Sequence, residues 1–257
     1  MKSTILSEKD AKLIEKAISQ HGRILNTLAL SKIFEEEYSS ASAHNRINFL
    51  VKAGWLRRIK KGLYLIIDSL TARSQTDISL IRIANAIMAE SYVSLSHALN
   101  HYQLFDQLSK NVISITWTKN KQYIFDDCVF KFSKIKKNMY FGFNEKMENG
   151  KLIQIATAEK ALIDYLYLDK NFGSASLVFE KLRDYHQELN MKKLQEYALR
   201  SGSTIQRKIG FMLDELKIDT NSLYQAIEKN RGASRLTKDS KLFNAKWRLY
   251  YDNRIIG

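Results

Sequence analysis

Apolar residues in the first 68 positions recur three times at the period of an α-helix, and polar residues or glycines separate the three segments. The pattern predicts a first helix, capped by Ser7 and ended by Gly22, and then a short strand over 23–25. A second helix is predicted over 28–37, capped by Asn26 or Thr27. A third helix is predicted to be capped by Ser39 or Ser40 and ended by Gly54. In the third helix, Ala43, Ile47 and Leu50 form the predicted buried stripe.

The period changes from helical to alternating after Gly54. Two short runs, 55–59 and 63–66, flank Lys60, Lys61 and Gly62, which predicts a strand, a tight turn and a second strand. A helix that runs directly into a basic hairpin has the order of a recognition helix followed by a wing. We therefore predict that residues 1–68 form a winged helix-turn-helix DNA-binding domain.

Residues 69–257 are predicted to form a second, α+β domain. The polar segment 69–77 is a predicted linker, and its last residue, Asp77, is a predicted helix cap. Period-two alternation over 112–117, 121–127 and 128–135 predicts a small antiparallel sheet. A short strand is predicted after Gly150, a helix capped by Thr157 follows, and the chain from Ser174 onwards is predicted as helices with breaks at Asn190, Gly202, Asp219 and Gly232.

The charge of the chain favours a polyanionic partner, either nucleic acid or an acidic protein surface. The formal net charge is +14 at pH 7, and the window 38–67 contains no Asp or Glu. An evenly solvated basic surface, or a winged helix that binds protein, would not require thirty residues without an acid. The pattern therefore favours double-stranded DNA.

The predicted DNA contacts divide between the third helix and the hairpin. Asn can pair with adenine, Arg with guanine, and serines with phosphates or base edges. The predicted contacts of the helix are Ser40, Ser42, His44, Asn45 and Arg46. The predicted contacts of the wing, along phosphate or in the minor groove, are Arg58, Lys60 and Lys61.

A possible second basic surface lies in the predicted sheet, where lysines alternate with aromatic residues: Lys119, Lys121, Lys131, Lys134, Lys136 and Lys137. It is open whether this surface is an ordinary solvated face, an extra DNA contact or a site for an acidic protein. The C-terminal run 231–254 is also basic, and its aromatic residues Trp247, Tyr250 and Tyr251 are predicted to pack against helices.

No pattern in the sequence predicts a catalytic site, a metal site or a cofactor. His97 and His101 lie four residues apart, but Ala98 stands where a metalloprotease has glutamate, so packing explains them better. There is no glycine-rich phosphate loop. The acids that could serve a metal-dependent nuclease fit turns and helix starts instead: Asp126, Asp127, Glu159 and Asp164. We expect a protein that is not an enzyme.

Composition favours the cytoplasm as the location. The single cysteine, Cys128, excludes an internal disulfide and fits a reducing compartment. No stretch has the length and apolar character of a membrane span, and the N-terminus lacks the apolar core of a signal peptide. We expect a cytoplasmic protein without a membrane partner.

The order of several motifs resembles the AbiEi family, the antitoxins of type IV toxin–antitoxin abortive-infection systems. The wing GWLRRIKKGLY (54–64) is followed by YVSLSHALNHYQLFDQ (92–107), by the paired-strand segment 112–132 and by IATAEKALIDYLYL (155–168). Family members often have proline before the glutamate of the last motif, where this chain has Ala158. The resemblance spans roughly residues 5–200.

The resemblance implies a transcriptional repressor that binds inverted repeats in its own promoter through residues 1–68. It implies that residues 69–257 counteract a nucleotidyltransferase-type toxin, with no stable complex required. It assigns no particular residue to toxin suppression. Two other hypotheses stay open: a stand-alone winged-helix regulator without a toxin, and a DNA-linked metal-dependent enzyme.

Overall fold

The computed structural model describes residues 6–68, 78–107, 109–148 and 151–256, and these residues form a mixed α+β fold. The predicted linker 69–77 and its cap Asp77 lie outside the described residues. Among the helices that are described, none combines the length and the apolar character needed to cross a bilayer.

The N-terminal unit contains three helices and a three-stranded antiparallel sheet. Its elements are α1 (Glu8–His21), β1 (Ile24–Asn26), α2 (Thr27–Phe34), α3 (Ser40–Ala53), β2 (Leu56–Lys60) and β3 (Leu63–Ile66), and the sheet has the order β1-β3-β2. The helix starts agree with the sequence, because Ser7, Asn26 and Ser39 each accept a hydrogen bond from a backbone amide in the first turn.

Glycines end α3 and turn the hairpin. Gly54 has φ 85° and Gly62 has φ 80°, which are left-handed conformations that residues with a Cβ rarely adopt. The chain can therefore leave α3 and enter β2 without a loop. This local geometry explains why the sequence predicted these two boundaries correctly.

The second unit is built on a six-stranded sheet of order β6-β7-β5-β4-β9-β8. Its elements are α4 (Leu80–Ile87), β4 (Ser91–Val93), α5 (Leu95–His101), β5 (Asn111–Thr116), β6 (Lys121–Phe125), β7 (Cys128–Lys134), β8 (Phe143–Glu148) and β9 (Lys151–Ala156). The prediction of a small antiparallel sheet is wrong in size and type, because β5 pairs with β7 and β4 with β9 in parallel. A strand of three residues such as β4 is too short to show a period in sequence.

The two faces of this sheet are covered by different elements. Tyr92 and Ile115 point to a core that includes Leu99 of α5 and Leu162 of the helix that follows β9. Val93 points to the opposite face, in a second core that includes Ile87 of α4. The sheet is therefore the central layer of the unit, and all three residues of β4 are buried.

The C-terminal part contains helices α6 (Ala158–Leu168), α7 (Phe172–Tyr185), α8 (Met191–Arg200), α9 (Ser203–Glu215) and α10 (Asn221–Ile227). The prediction of helices to the end of the chain is wrong after Gly232. A small sheet of order β10-β12-β11 forms there from Ser234–Arg235, Leu242–Asn244 and Leu249–Tyr251. Strands of two or three residues are held by tertiary packing and leave no clear pattern in the sequence.

Trp247 connects this small sheet to α9. Its side chain is fully buried, and the indole Nε1 donates to the Asp214 carboxylate at 3.2 Å. The ring lies against Gly210, where an added Cβ would stand 2.1 Å from a ring carbon. Gly210 is therefore required for close packing, although glycine is unfavourable inside a helix.

We expect Gly210→Ala to lower the free energy of unfolding by about 2 kcal/mol, because the methyl group overlaps the buried indole. Chemical denaturation followed by tryptophan fluorescence measures the change. Gly173→Ala is the matched control: Gly173 is also helical, but its nearest neighbour to an added Cβ is 3.6 Å away, so its substitution should not destabilise. Equal losses in both variants would contradict the packing role.

Candidate nucleic-acid interface

The first two turns of α3 present a polar surface to solvent. Ser40, Ser42, His44 and Asn45 are all exposed. The Ser40 hydroxyl donates to the Glu35 carboxylate at 2.8 Å. His44 and Asn45 stand one to two turns from the helix start, where a recognition helix reaches furthest into a major groove. These four predicted contacts are therefore brought together on one exposed end of the helix.

Arg46 has a different environment from the one expected on an exposed helix face. Its side chain is 29% exposed, its Nε donates to Asp10 Oδ1 at 2.8 Å, and a second bond runs from Nη2 to Asp10 Oδ2. The guanidinium also lies over the Phe49 ring, 4.3 Å from its centroid. The planar fork that would recognise guanine is occupied by a carboxylate from α1.

Asp10 is the buried centre of this contact between α1 and α3. Its side chain is fully buried, and it is hydrogen-bonded by Arg46, Ser7 and Tyr38. Burial raises the pKa of Asp10, but the hydrogen bonds from these three side chains and the charge of Arg46 outweigh it, so the pKa lies below its usual value. Arg46 and Asp10 are 36 residues apart in the chain, so no local sequence pattern predicted this pair.

The cations of the β2–β3 hairpin divide between solvent and the second unit. Arg58 and Lys61 are exposed, and the guanidinium of Arg58 lies 5.6 Å from the centroid of the Tyr64 ring. Lys60 is half-buried, and its Nζ donates to the carbonyl oxygen of Ile87 at 2.6 Å. Of the three predicted wing contacts, Arg58 and Lys61 therefore face solvent, whereas Lys60 is engaged with α4.

The hairpin packs between the two units. On β3, Tyr64 and Ile66 belong to the core of the N-terminal unit. Leu63 and Leu65 belong to the core that also contains Val93. All four residues of β3 are buried, so the strand is covered on both faces.

An ion pair at the edge of this contact joins Arg57 to Asp126. Asp126 lies in the turn between β6 and β7, which is the role that its sequence predicted, and it has φ 53°. The ion pair to the hairpin was not predicted, because the two residues are far apart in the chain. It fixes the hairpin against the edge strand of the large sheet.

The possible second basic surface lies on and beside β6 and β7, and all of its members are exposed: Lys119, Lys121, Lys131, Lys134, Lys136 and Lys137. The ammonium of Lys60 lies 5.8 Å from the centroid of Tyr123, a residue of β6. The hairpin and this basic surface are therefore neighbours in the fold. Lys137 also lies 5.1 Å from the ring centroid of the exposed Trp117.

The charged residues of the motif at 155–168 are buried. Lys160 and Asp164 form an ion pair on successive turns of α6, with side-chain exposures of 0% and 1%. The hydroxyls of Tyr92 and Ser94 donate to the same carboxylate, at 3.2 Å and 2.8 Å. Burial and the charge of Asp164 raise the pKa of Tyr92 well above its usual value, which keeps this donor protonated.

Glu159, the neighbouring acid of the motif, accepts a hydrogen bond from the backbone amide of Asn190 at 3.0 Å. The two histidines of the earlier motif differ in environment, since His97 is buried and His101 is exposed. Burial lowers the pKa of His97. Within the described part of the chain, no group of three or more His, Cys, Asp or Glu side chains could hold a metal ion.

Comparisons with known proteins give a match at the level of the fold. No family model matches the chain, and no curated protein matches it. The chain is similar to the crystal structure of the RV2827C protein from Mycobacterium tuberculosis, with a TM-score of 0.63 and 11% sequence identity. The similarity covers 96% of this chain and 92% of that chain. At this identity the comparison shows a shared fold over nearly the whole length.

We expect Arg46→Ala to lower the free energy of unfolding at pH 7 by about 2 kcal/mol, because it leaves the Asp10 carboxylate buried without a cation. The loss should shrink in acid. The pKa of Asp10 is lower in the fold than its ordinary 3.8, so its contribution is present above that value and is lost as the pH falls through the folded pKa.

Chemical denaturation at pH 7 and at a series of lower pH values checks this prediction. Lys12→Ala is the control, because it removes the exposed ion pair of Lys12 with Glu8 on the same helix and should leave stability almost unchanged. A loss for Arg46→Ala that is the same at every pH would contradict the role of the Asp10 charge.

Proposed function

We propose that the N-terminal unit is a winged helix-turn-helix that binds double-stranded DNA, with α3 as the recognition helix and the β2–β3 hairpin as the wing. The observation that carries the proposal is the acid-free window 38–67, which folds into α3 and the hairpin. Asp10, which contacts α3 from the core side, is neutralised by Arg46.

The proposed roles follow from exposure. Ser42, His44 and Asn45 supply hydrogen-bonding groups for base edges and phosphates at the exposed start of α3. Arg58 and Lys61 neutralise phosphates from the hairpin. Arg46 orients α3 against α1, and Lys60 attaches the hairpin to the second unit. Both residues therefore position the interface and do not contact DNA themselves.

We further propose that the protein is a repressor and antitoxin of the AbiEi kind, which autoregulates its operon and counteracts a nucleotidyltransferase-type toxin. The ordered motifs at 54–64, 92–107 and 155–168 support this proposal. Ser94 of the second motif and Lys160 and Asp164 of the third meet in one buried network, which gives a structural reason for the joint occurrence of these two motifs.

The enzymatic alternative finds less support in the contacts of the acids. Asp164 is buried against Lys160, and Asp126 is paired with Arg57. Loss of activity in an Asp164→Ala variant would therefore report on folding as well as on chemistry. The stand-alone regulator differs from the antitoxin in its partner alone, so a toxin experiment separates the two.

We expect the double variant Arg58→Ala, Lys61→Ala to bind DNA from its own promoter more weakly and with a shallower salt dependence. Removing one phosphate neutralisation reduces the slope of log affinity against log salt by about 0.9. Gel shift or fluorescence anisotropy at several salt concentrations measures both effects. The control is Lys192→Ala, Lys229→Ala, which removes the same charge from exposed positions in the C-terminal part.

Two results would contradict the DNA proposal. One is a wild-type protein that does not bind the promoter DNA at moderate salt. The other is an equal loss of affinity in the control variant, because that would reflect net charge and not a site.

We expect co-expression of the full-length protein to restore growth of cells that express a neighbouring nucleotidyltransferase-like toxin. The Arg58→Ala, Lys61→Ala variant should restore growth equally, because the proposed toxin-suppressing part follows residue 68. Full-length variants are preferable to a truncated chain, since removal of Leu63 and Leu65 would expose Val112 and Phe130 of the shared core. No rescue by the wild type would favour the stand-alone regulator.

A further inference from the structure

A cavity of about 420 Å³ lies between the end of α6 and the start of α9, far in sequence from the proposed DNA interface. The residues that line it include Lys170, Ser201, Gly202, Ser203, Thr204 and Lys208. These lining residues include two lysines and three hydroxyl side chains of serine and threonine, but no carboxylate.

Lys208 is the unusual member of this group because it is a buried cation. Its residue is 1% exposed, and its Nζ donates to the carbonyl oxygen of Leu166 at 3.0 Å. Leu166 lies in the last turn of α6, so this bond satisfies a carbonyl that has no partner within its helix. An ammonium has three donors, and the negative end of the α6 dipole, equivalent to roughly half an elementary charge, offsets the buried charge of Lys208 only in part.

The charged residue that acts on Lys208 is Lys170, a second cation, which increases the excess of positive charge. Burial and the charge of Lys170 lower the pKa of Lys208 to about 8, so Lys208 is still largely protonated at neutral pH. The cavity therefore contains two cations, and none of the described residues that line it is an acid. Elsewhere in the chain, the buried Lys160 has a carboxylate partner in Asp164.

The N-terminus of α9 also adds positive charge to the cavity. Its N-cap is Gly202, which has no side chain to accept a hydrogen bond from the first turn. Gly202, Ser203 and Thr204 all line the cavity. The positive end of the helix dipole therefore lies beside the two lysines, which raises the preference for a negative ligand.

We propose that this cavity binds a phosphate dianion, either as free orthophosphate or as the phosphoryl group of a small phosphomonoester. Two cations and a helix start match a ligand with two negative charges better than a carboxylate with one. Hydroxyl donors from the serines suit the several oxygens of a phosphate. The cavity has room for more than the phosphoryl group, which admits a monoester.

Calorimetric titration of the full-length protein with orthophosphate, adenosine 5′-monophosphate and acetate tests the proposal. Saturable binding of orthophosphate, with weaker binding of acetate, is expected. Tighter binding of the monophosphate than of orthophosphate would identify a monoester as the ligand, and the reverse would identify free phosphate. If neither phosphate binds, or if acetate binds equally well, the proposal is wrong and Lys208 serves only to cap α6.

Variants locate the binding. Lys170→Ala should weaken phosphate binding by about tenfold, because it removes one charge-assisted contact at an exposed position where folding is not at risk. Lys208→Gln should weaken it further while keeping a donor for the Leu166 carbonyl. Lys238→Ala is the control, since Lys238 is exposed, and it borders a neighbouring cavity that also contains Lys170. Equal affinity in the Lys170→Ala variant and the wild type would overturn the assignment.

Discussion

The burial of β3 on both faces is the constraint on which the arrangement of the two units depends. A hairpin at the edge of a small domain usually has one face in water, but here Tyr64 and Ile66 pack on the helices of the N-terminal unit while Leu63 and Leu65 pack on the large sheet. Apolar area on the second face is removed from water only when the sheet covers it. The hairpin is therefore shared by two cores, and the ion pair of Arg57 with Asp126 closes the edge of the contact.

This arrangement decides which cations can meet a ligand. Four basic residues occur in the short run from Arg57 to Lys61, and the sequence predicted DNA contacts for three of them, Arg58, Lys60 and Lys61. The fold turns Arg57 and Lys60 towards the second unit and leaves Arg58 and Lys61 in solvent. Of these four cations, the proposed DNA interface therefore includes only Arg58 and Lys61, because contacts with the second unit engage the other two.

The buried charges illustrate how different partners stabilise the fold. Asp10 with Arg46, and Asp164 with Lys160, are pairs supported by further hydrogen bonds, which is the condition under which a buried charge is tolerated. Lys208 has a carbonyl and another cation as neighbours, and this contrast supports the proposed phosphate site. The similarity to the Mycobacterium tuberculosis structure concerns the path of the chain and assigns none of these roles, since a fold can host unrelated sites.

Elements whose cause is local could be predicted from the amino-acid sequence alone. Capping side chains such as Ser7 and Ser39, and left-handed glycines such as Gly54, act within a few residues, so the starts of the N-terminal helices were predicted correctly, although α2 ends at Phe34 and not at residue 37. Period-two alternation, which is also local, predicted the strands β5 to β7. Tertiary packing, in contrast, set the parallel pairing of β4 with β9, the small C-terminal sheet and the ion pair of Asp10 with Arg46. These features depend on residues far apart in the chain, and their energy comes from burial and charge pairing that exist only after the chain has folded.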